Sequence, residues 1–285
     1  MGVLNVTPDS FFDGGRYDTT QVAVAHGLAM VAAGADVVDV GGESSRPGAV
    51  PVSVDEELAR VLPVVKGLAG TVRVSIDTVK PEVALAVVEA GATLVNDISA
   101  SLWEVVAGAG GGGSVGWVSM HMQGSPDSMQ AAPHYDDVVA EVFGFVLERA
   151  RLALAAGIAE VWVDPGIGFG KTLNHNLALL HHLPELVEAA EDIGCAGVLV
   201  GTSRKRFIGL LGAGREGGPN EPVGVDERLE GSLATAAGAM AAGAKMVRVH
   251  DVEATVQAAR LYGPGAELRT GLFGSPSQGG GGAAS

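Results

Sequence analysis

The chain has 285 residues and a mass of 28.7 kDa, 47% hydrophobic and 18% charged, which is enough apolar material for one large α/β domain. A formal net charge of -15 and a pI of about 4.8 exclude a nucleic-acid surface as the main partner, while leaving room for local basic pockets that take small anions. The single cysteine, Cys195, excludes an internal disulfide and fits a reducing, cytoplasmic setting; it reads as a packing residue, and no uncharged apolar run is long enough to cross a membrane.

The first strand is expected over 1–6 and ends in Asn5. It begins almost at Met1, with no signal peptide ahead of it, so the start reads as a truncation or a late start codon. Thr7–Gly15 forms a loop with two acids, two aromatics and two glycines. An amphipathic helix follows over 18–34, with Val22, Ala25, Leu28, Ala29 and Ala32 as its core face and Gly34 as its stop. The second strand, 36–42, runs into the loop Glu43–Gly48. Ser53 and Glu56 form a capping box for a helix whose core face is Leu58, Val61, Leu62, Val65 and Leu68, kinked at Pro63.

Strand three, 72–77, ends in Asp77, and Pro81 opens the next helix, where a missing N–H costs nothing. Strand four, 94–99, carries Asn96 and Asp97; a short helix is expected at 103–107. Strand five, 116–122, ends in Met120, His121 and Met122 and leads to a long helix, 134–156. The sixth strand runs into Asp164 and the loop Pro165–Lys171, where three glycines let backbone approach a ligand. A helix over 174–190 follows, then strand seven (197–203) ending in Ser203, Arg204 and Lys205, a helix over 226–243, strand eight (246–251) with Arg248, His250 and Asp251, and a last helix over 252–262. Residues 263–285 are rich in glycine, serine and alanine and are expected to be disordered, having no apolar face to bury.

Eight strand–helix units in strict alternation predict a single-domain α/β fold, a parallel (β/α)8 TIM barrel over 1–262. Polar residues gather at the C-terminal ends of the strands, where such barrels carry their chemistry. Asp77, Asn96 and Asp164 offer acceptors and an amide to the N–H edge of a guanidine-like heterocycle. Asn5, Arg248 and His250, on neighbouring first and last strands, can converge on a phosphate. Taken singly, His250 and His121 read as structural histidines, Arg248 as a partner of Asp251 or Asp39, and Lys171 as a partner of a nearby acid. No His or Cys pair has zinc spacing, so a metal is expected to be Mg²⁺ on oxygen ligands and phosphate.

The strings NVTPDSF (5–11), GGESSRPGA (41–49), SIDT (75–78), NDIS (96–99), MHMQG (120–124), DPGIGFGK (164–171), GTSRK (201–205) and RVHDV (248–252) closely resemble the dihydropteroate synthases of the pterin-binding family, in order along nearly the whole folded chain. SRKRF and the alanine–glycine richness resemble actinobacterial members. The resemblance implies a transferase of folate biosynthesis that joins 6-hydroxymethyl-7,8-dihydropterin pyrophosphate to p-aminobenzoate by an SN1-like route with Mg²⁺, and a homodimer. It implies pterin contacts from Asp77, Asn96, Met120, Asp164, Phe169 and Lys205, and pyrophosphate contacts from Asn5, Arg248 and His250, with Asn5 near the metal. It implies a p-aminobenzoate pocket, open to sulfonamides, of Phe11, Arg46, Pro47, Phe169, Lys205 and Arg206, and adds Asp13 to the catalytic set of Asp77, Asp164 and Lys205. The sequence departs from the family at Phe12 and Arg206, where serine is common, and at Ala100, where glycine is common. Other readings are a paralogue without synthase activity, a pterin-dependent methyltransferase domain, and an aldolase-type barrel using Lys205 as a Schiff base.

Overall fold

The computed structural model describes residues 1–7, 16–45, 48–109, 114–213 and 221–262. Eight parallel strands alternate with helices: β1 Gly2–Asn5, α1 Arg16–Ala32, β2 Val37–Gly41, α2 Val54–Leu68, β3 Arg73–Asp77, α3 Pro81–Glu89, β4 Leu94–Asp97, α4 Trp103–Ala109, β5 Gly116–Met120, α5 Val138–Ala155, β6 Val161–Asp164, α6 Leu173–His181, α7 Leu183–Asp192, β7 Gly197–Val200, α8 Arg206–Gly212, α9 Leu229–Ala241, β8 Met246–Val247 and α10 Val252–Tyr262. The strands pair in sequence order. Beyond β8 the chain closes the barrel: the Val3 N–H donates to the Val249 carbonyl at 2.9 Å and the Val249 N–H to the Met1 carbonyl at 3.0 Å. No described helix is long and apolar enough to cross a membrane.

Side chains alternate across a strand, so every second residue faces the barrel axis. That step builds the interior in layers. Arg73 and Glu160 form a two-pronged ion pair at the N-terminal end (2.8 and 2.6 Å), and the Trp162 indole N–H donates to Glu160 at 2.7 Å. Above it lies an apolar layer of Met1, Val37, Leu94, Val118, Trp162 and Leu199. Two residues further along stand Asp39, Asn96, Met120 and Asp164, with Gly201 just past the end of β7. The outward residues of the strands pack with the helices into the larger apolar cluster.

Local signals explain most boundaries. Pro81 is the first residue of α3, Asp137 caps α5 through bonds to the Val139 and Ala140 N–H groups, and α2 runs on across Pro63. Ser53 accepts from the Glu56 N–H at 3.2 Å, but the Glu56 carboxylate turns to Arg60, so only half of the expected capping box forms.

Three expectations need correction. The core face of α1 is Ala23, Gly27 and Met30, whereas Val22, Ala25, Leu28, Ala29 and Ala32 face outward. Gly27 decides this, because it lets Leu68 pack where a Cβ would meet both its methyl carbons at 2.9 Å. The helix expected over 174–190 is two, α6 and α7, since Pro184 cannot continue α6 and instead opens α7. The expected 226–243 helix is likewise a 3-10 turn, Val225–Glu227, followed by α9.

Asn96 and Asp97, adjacent at the end of β4, serve different sides. Asp97 is fully buried and accepts from the N–H groups of Ser99, Ser101 and Leu102 and from the Trp117 indole. The turn it holds puts Ala100 at φ 51°, where a Cβ is strained. Ala100→Gly is therefore expected to raise stability by about 0.5–1 kcal/mol, the relief of strain outweighing the looser unfolded chain. Urea denaturation should show a higher midpoint at unchanged slope.

Candidate active site

The strand register draws the polar residues into one ring. Asn5 neighbours Gly41, Gly41 neighbours Asp77, and Asp77 neighbours Asn96 across β1 to β4, while Met120 neighbours Asp164 across β5 and β6. A Cβ on Gly41 would stand 3.7 Å from Asn5 Oδ1 and 3.6 Å from Asp77 Cβ, so the glycine leaves the rim open between them. Arg248 reaches in from the residue after β8. Its Nε donates to Asp39 Oδ2 at 2.6 Å and its Nη2 to Asp77 Oδ2 at 2.7 Å. The same Asp39 oxygen accepts from Asn96 Nδ2 at 2.9 Å. Burial holds the Asp77 carboxyl above the ordinary carboxylate range, against the pull of Arg248, and Asp39 pushes in the same direction as burial.

Asp164 is buried beside this group, and its Oδ1 accepts from the Gly166 N–H at 2.7 Å. Burial raises its pKa against the pull of Lys205 and of the Gly166 bond. The following loop is locked to the β5 loop. Gly166, at φ 63°, lies so near the His121 carbonyl that a Cβ would stand 1.9 Å from the oxygen. Tyr135 donates to the Gly170 carbonyl at 2.8 Å, and Lys171 donates to the carbonyls of Phe169 (3.0 Å) and His121 (3.3 Å). These bonds set Phe169 under Lys205, whose ammonium lies 4.6 Å from the ring centroid and donates to the Ile167 carbonyl. Burial lowers the Lys205 pKa to about 8, opposed by Asp164.

The ring can hold a flat heterocycle by its N–H edge on carboxylate and amide oxygens, place cations beside it, and stabilise positive charge that develops between Asp77 and Asp164. The "Pterin binding enzyme" family model matches residues 1–250. Over 92% of this chain, the dihydropteroate synthases of Escherichia coli K12 and Mycobacterium leprae are 46% and 47% identical, with 89% and 92% of those proteins covered. The chain belongs to the pterin-binding enzymes, among the dihydropteroate synthases. A solved Xanthomonas albilineans dihydropteroate synthase with 4-aminobenzoic acid superposes with a TM-score of 0.79 at 47% identity, covering 92% of this chain and 90% of that one.

Asp77, Asn96, Met120, Asp164, Lys205 and Arg248 come together at one barrel mouth, with Asn5 on the same rim. His250 is tied to the loop after β7, its Nδ1 3.0 Å from Ser203 Oγ and its backbone N–H donating to the same oxygen at 3.1 Å. Arg206 stands exposed as the first residue of α8. Phe11, Asp13, Arg46 and Pro47 lie outside the described residues.

Of the two partners expected for Arg248, Asp39 is taken, Asp251 goes to Arg204, and Asp77 is added as a second carboxylate. Lys171 departs from expectation and, among the described residues, meets no carboxylate: its third partner is His121 Nδ1 at 3.0 Å, and burial, opposed by Asp164 and joined by the Lys205 charge, lowers its pKa to about 7. His121 is structural, packed edge-on against Phe145, and burial followed by the Lys171 charge pushes its pKa to about 3. Cys195 is buried and its thiol is raised to about 11 by burial, which removes any nucleophilic character at neutral pH. Sequence reasoning named Asp39 only as one of two partners for Arg248 and not as a site residue, because it stands inside a strand rather than at its end; the two-residue step back from Gly41 was the available signal.

Proposed function

We propose that this synthase joins 6-hydroxymethyl-7,8-dihydropterin pyrophosphate to p-aminobenzoate, giving 7,8-dihydropteroate and pyrophosphate. The observation that carries the reading is the ring of Asp77, Asn96 and Asp164 with Lys205 and Arg248 above an apolar barrel layer. Asp164 and Asn96 hold the pterin by its N–H edge, with Met120 as an apolar wall. The methylene C–O bond breaks with its electron pair leaving on pyrophosphate. Asp77 and Asp164 stabilise the resulting cation, the charge present in the transition state and absent in the substrate. The arylamine lone pair then forms the C–N bond and the nitrogen proton passes to solvent.

Asn5, Arg248 and His250 take the pyrophosphate. Phe169 and Lys205 line the p-aminobenzoate side, with Arg206 meeting the carboxylate and Phe11, Asp13, Arg46 and Pro47 contributing from two loops. Among the described residues no cluster of His, Cys, Asp and Glu could cage a metal. The donor set fits Mg²⁺ in its usual phosphate-bound mode, with Asn5 Oδ1, left open by Gly41, as a protein ligand. Bound there, Mg²⁺ would offset charge on the leaving pyrophosphate. A cytoplasmic homodimer of actinobacterial type completes the reading.

The test is pyrophosphate release from the dihydropterin pyrophosphate and Mg²⁺, with and without p-aminobenzoate. Release that requires p-aminobenzoate supports the reading; tight pterin binding without such release overturns it. The rate should also be bell-shaped in pH. Asp77, with its pKa raised, gains a proton as pH falls, so the acid limb should lie well above an ordinary carboxylate pKa of about 3.9. Lys205, with its pKa lowered to about 8, loses its charge as pH rises through that value, which gives the alkaline limb. In Lys205→Arg the alkaline limb should disappear, because a guanidinium keeps its proton.

A further inference from the structure

We propose that Asp39 is a positioning residue for the synthase reaction, one buried carboxylate that sets both the pterin and the pyrophosphate contacts. The inference rests on the synthase reading and adds a residue to it. Asp39 is fully buried in the middle of β2 and touches no open surface. Its Oδ2 is nonetheless shared between Asn96 Nδ2 at 2.9 Å and Arg248 Nε at 2.6 Å, residues on opposite flanks of the ring.

Each bond has a consequence for a neighbour. Because Asn96 spends its NH₂ on Asp39, its carbonyl oxygen is the end presented to the mouth, an acceptor like Asp164 and matched to a heterocycle's N–H edge. Because Arg248 is tethered through Nε, its Nη end is the part able to turn. In this structure Nη2 sits on Asp77, the carboxylate assigned to the pterin cation. Substrate arriving at Asp77 displaces that contact, and the guanidinium, still held by Asp39, is delivered to the phosphate side. The pterin thereby readies the anion site through a fixed pivot.

Stability alone does not account for the residue. Among the described residues Asp39 Oδ1 has no hydrogen-bond partner. A carboxylate this deep with one oxygen unpaired destabilises the fold, and an apolar side chain of similar size would cost less.

The experiment compares wild type with Asp39→Asn, which keeps shape and removes charge. Calorimetry reads the binding of 6-hydroxymethylpterin, which lacks the pyrophosphate, and separately of inorganic pyrophosphate with Mg²⁺. Both affinities should fall about tenfold or more, the scale of a lost charge-assisted hydrogen bond. The KM for p-aminobenzoate, whose pocket Asp39 does not touch, should stay within about twofold, a split that general loosening of the fold would not produce. Arg248→Lys should weaken pyrophosphate alone. Should Asp39→Asn fail to melt cooperatively, Asp39→Ser is read against the same criteria. Loss of only one affinity, of neither, or an equal rise in the p-aminobenzoate KM overturns the proposal. Wild type binding neither probe would instead overturn the synthase reading itself, and this proposal with it.

Discussion

Asp164→Asn is expected to lower kcat/KM for the dihydropterin pyrophosphate by about a thousandfold, the range set by losing an aimed electrostatic contact in a dry site. The loss exceeds that of a charge because of a single bond. The Gly166 N–H already donates to Asp164 Oδ1 at 2.7 Å. In the variant it will claim the amide oxygen, which leaves the NH₂ pointing at the pterin's own N–H edge, donor against donor. The developing cation also loses one of its two counter-charges. Steady-state kinetics alongside a thermal melt check this: the melt should be little changed or higher, because removing a buried carboxylate relieves desolvation. A fall in kcat/KM of less than about tenfold would mean that Asp164 does not face the reacting centre.

The second large effect is expected at Gly166. In Gly166→Ala the added carbon would stand 1.9 Å from the His121 oxygen and 2.9 Å from its carbonyl carbon, and φ of 63° is itself strained for alanine. Backbone cannot give way as a side-chain tip can, so the β5 and β6 loops must part. That breaks the Gly166 bond to Asp164 and shifts Phe169 and Lys205, which the loop sets. Activity should be lost, and stability should fall by about 3 kcal/mol or more, among the larger effects of a single substitution. Chemical denaturation with a p-aminobenzoate-dependent rate assay tests both. Wild-type activity in this variant would contradict the loop crossing.

The barrel was legible because its signals are local and repeated. Each strand is a short apolar run, each is followed by a helical pattern, and the polar residue at the strand end stands where the chain leaves the sheet. The same reasoning placed Asp77, Asn96 and Asp164 in the site but left Asp39 as an alternative ion-pair partner, because its acid lies within DVVDVGG and looked like part of the strand. The α1 face was misjudged because apolar residues ring that helix from Val22 to Ala32, and the deciding contact, Gly27 against Leu68, joins two helices. The break between α6 and α7 was readable in His182-Leu183-Pro184, since a proline disfavours helix at the residue before it. The Asp39 pairing with Arg248 was named as one of two alternatives, but that Arg248 also grips Asp77, 171 positions away, was not readable.

The apolar layer of Met1, Val37, Leu94, Val118, Trp162 and Leu199 acts as an insulating plate beneath the ring. Field lines from Asp39, Asp77, Asp164, Lys205 and Arg248 cannot relax downward into water and are channelled toward the mouth. Dissolved ions reach these charges from one side only, so their mutual interactions are weakly screened. The outer surface behaves oppositely: a chain of formal charge -15 repels both anionic reactants until salt shortens its reach. Moderate ionic strength should thus ease encounter, lowering both Michaelis constants, while turnover at saturation stays nearly level.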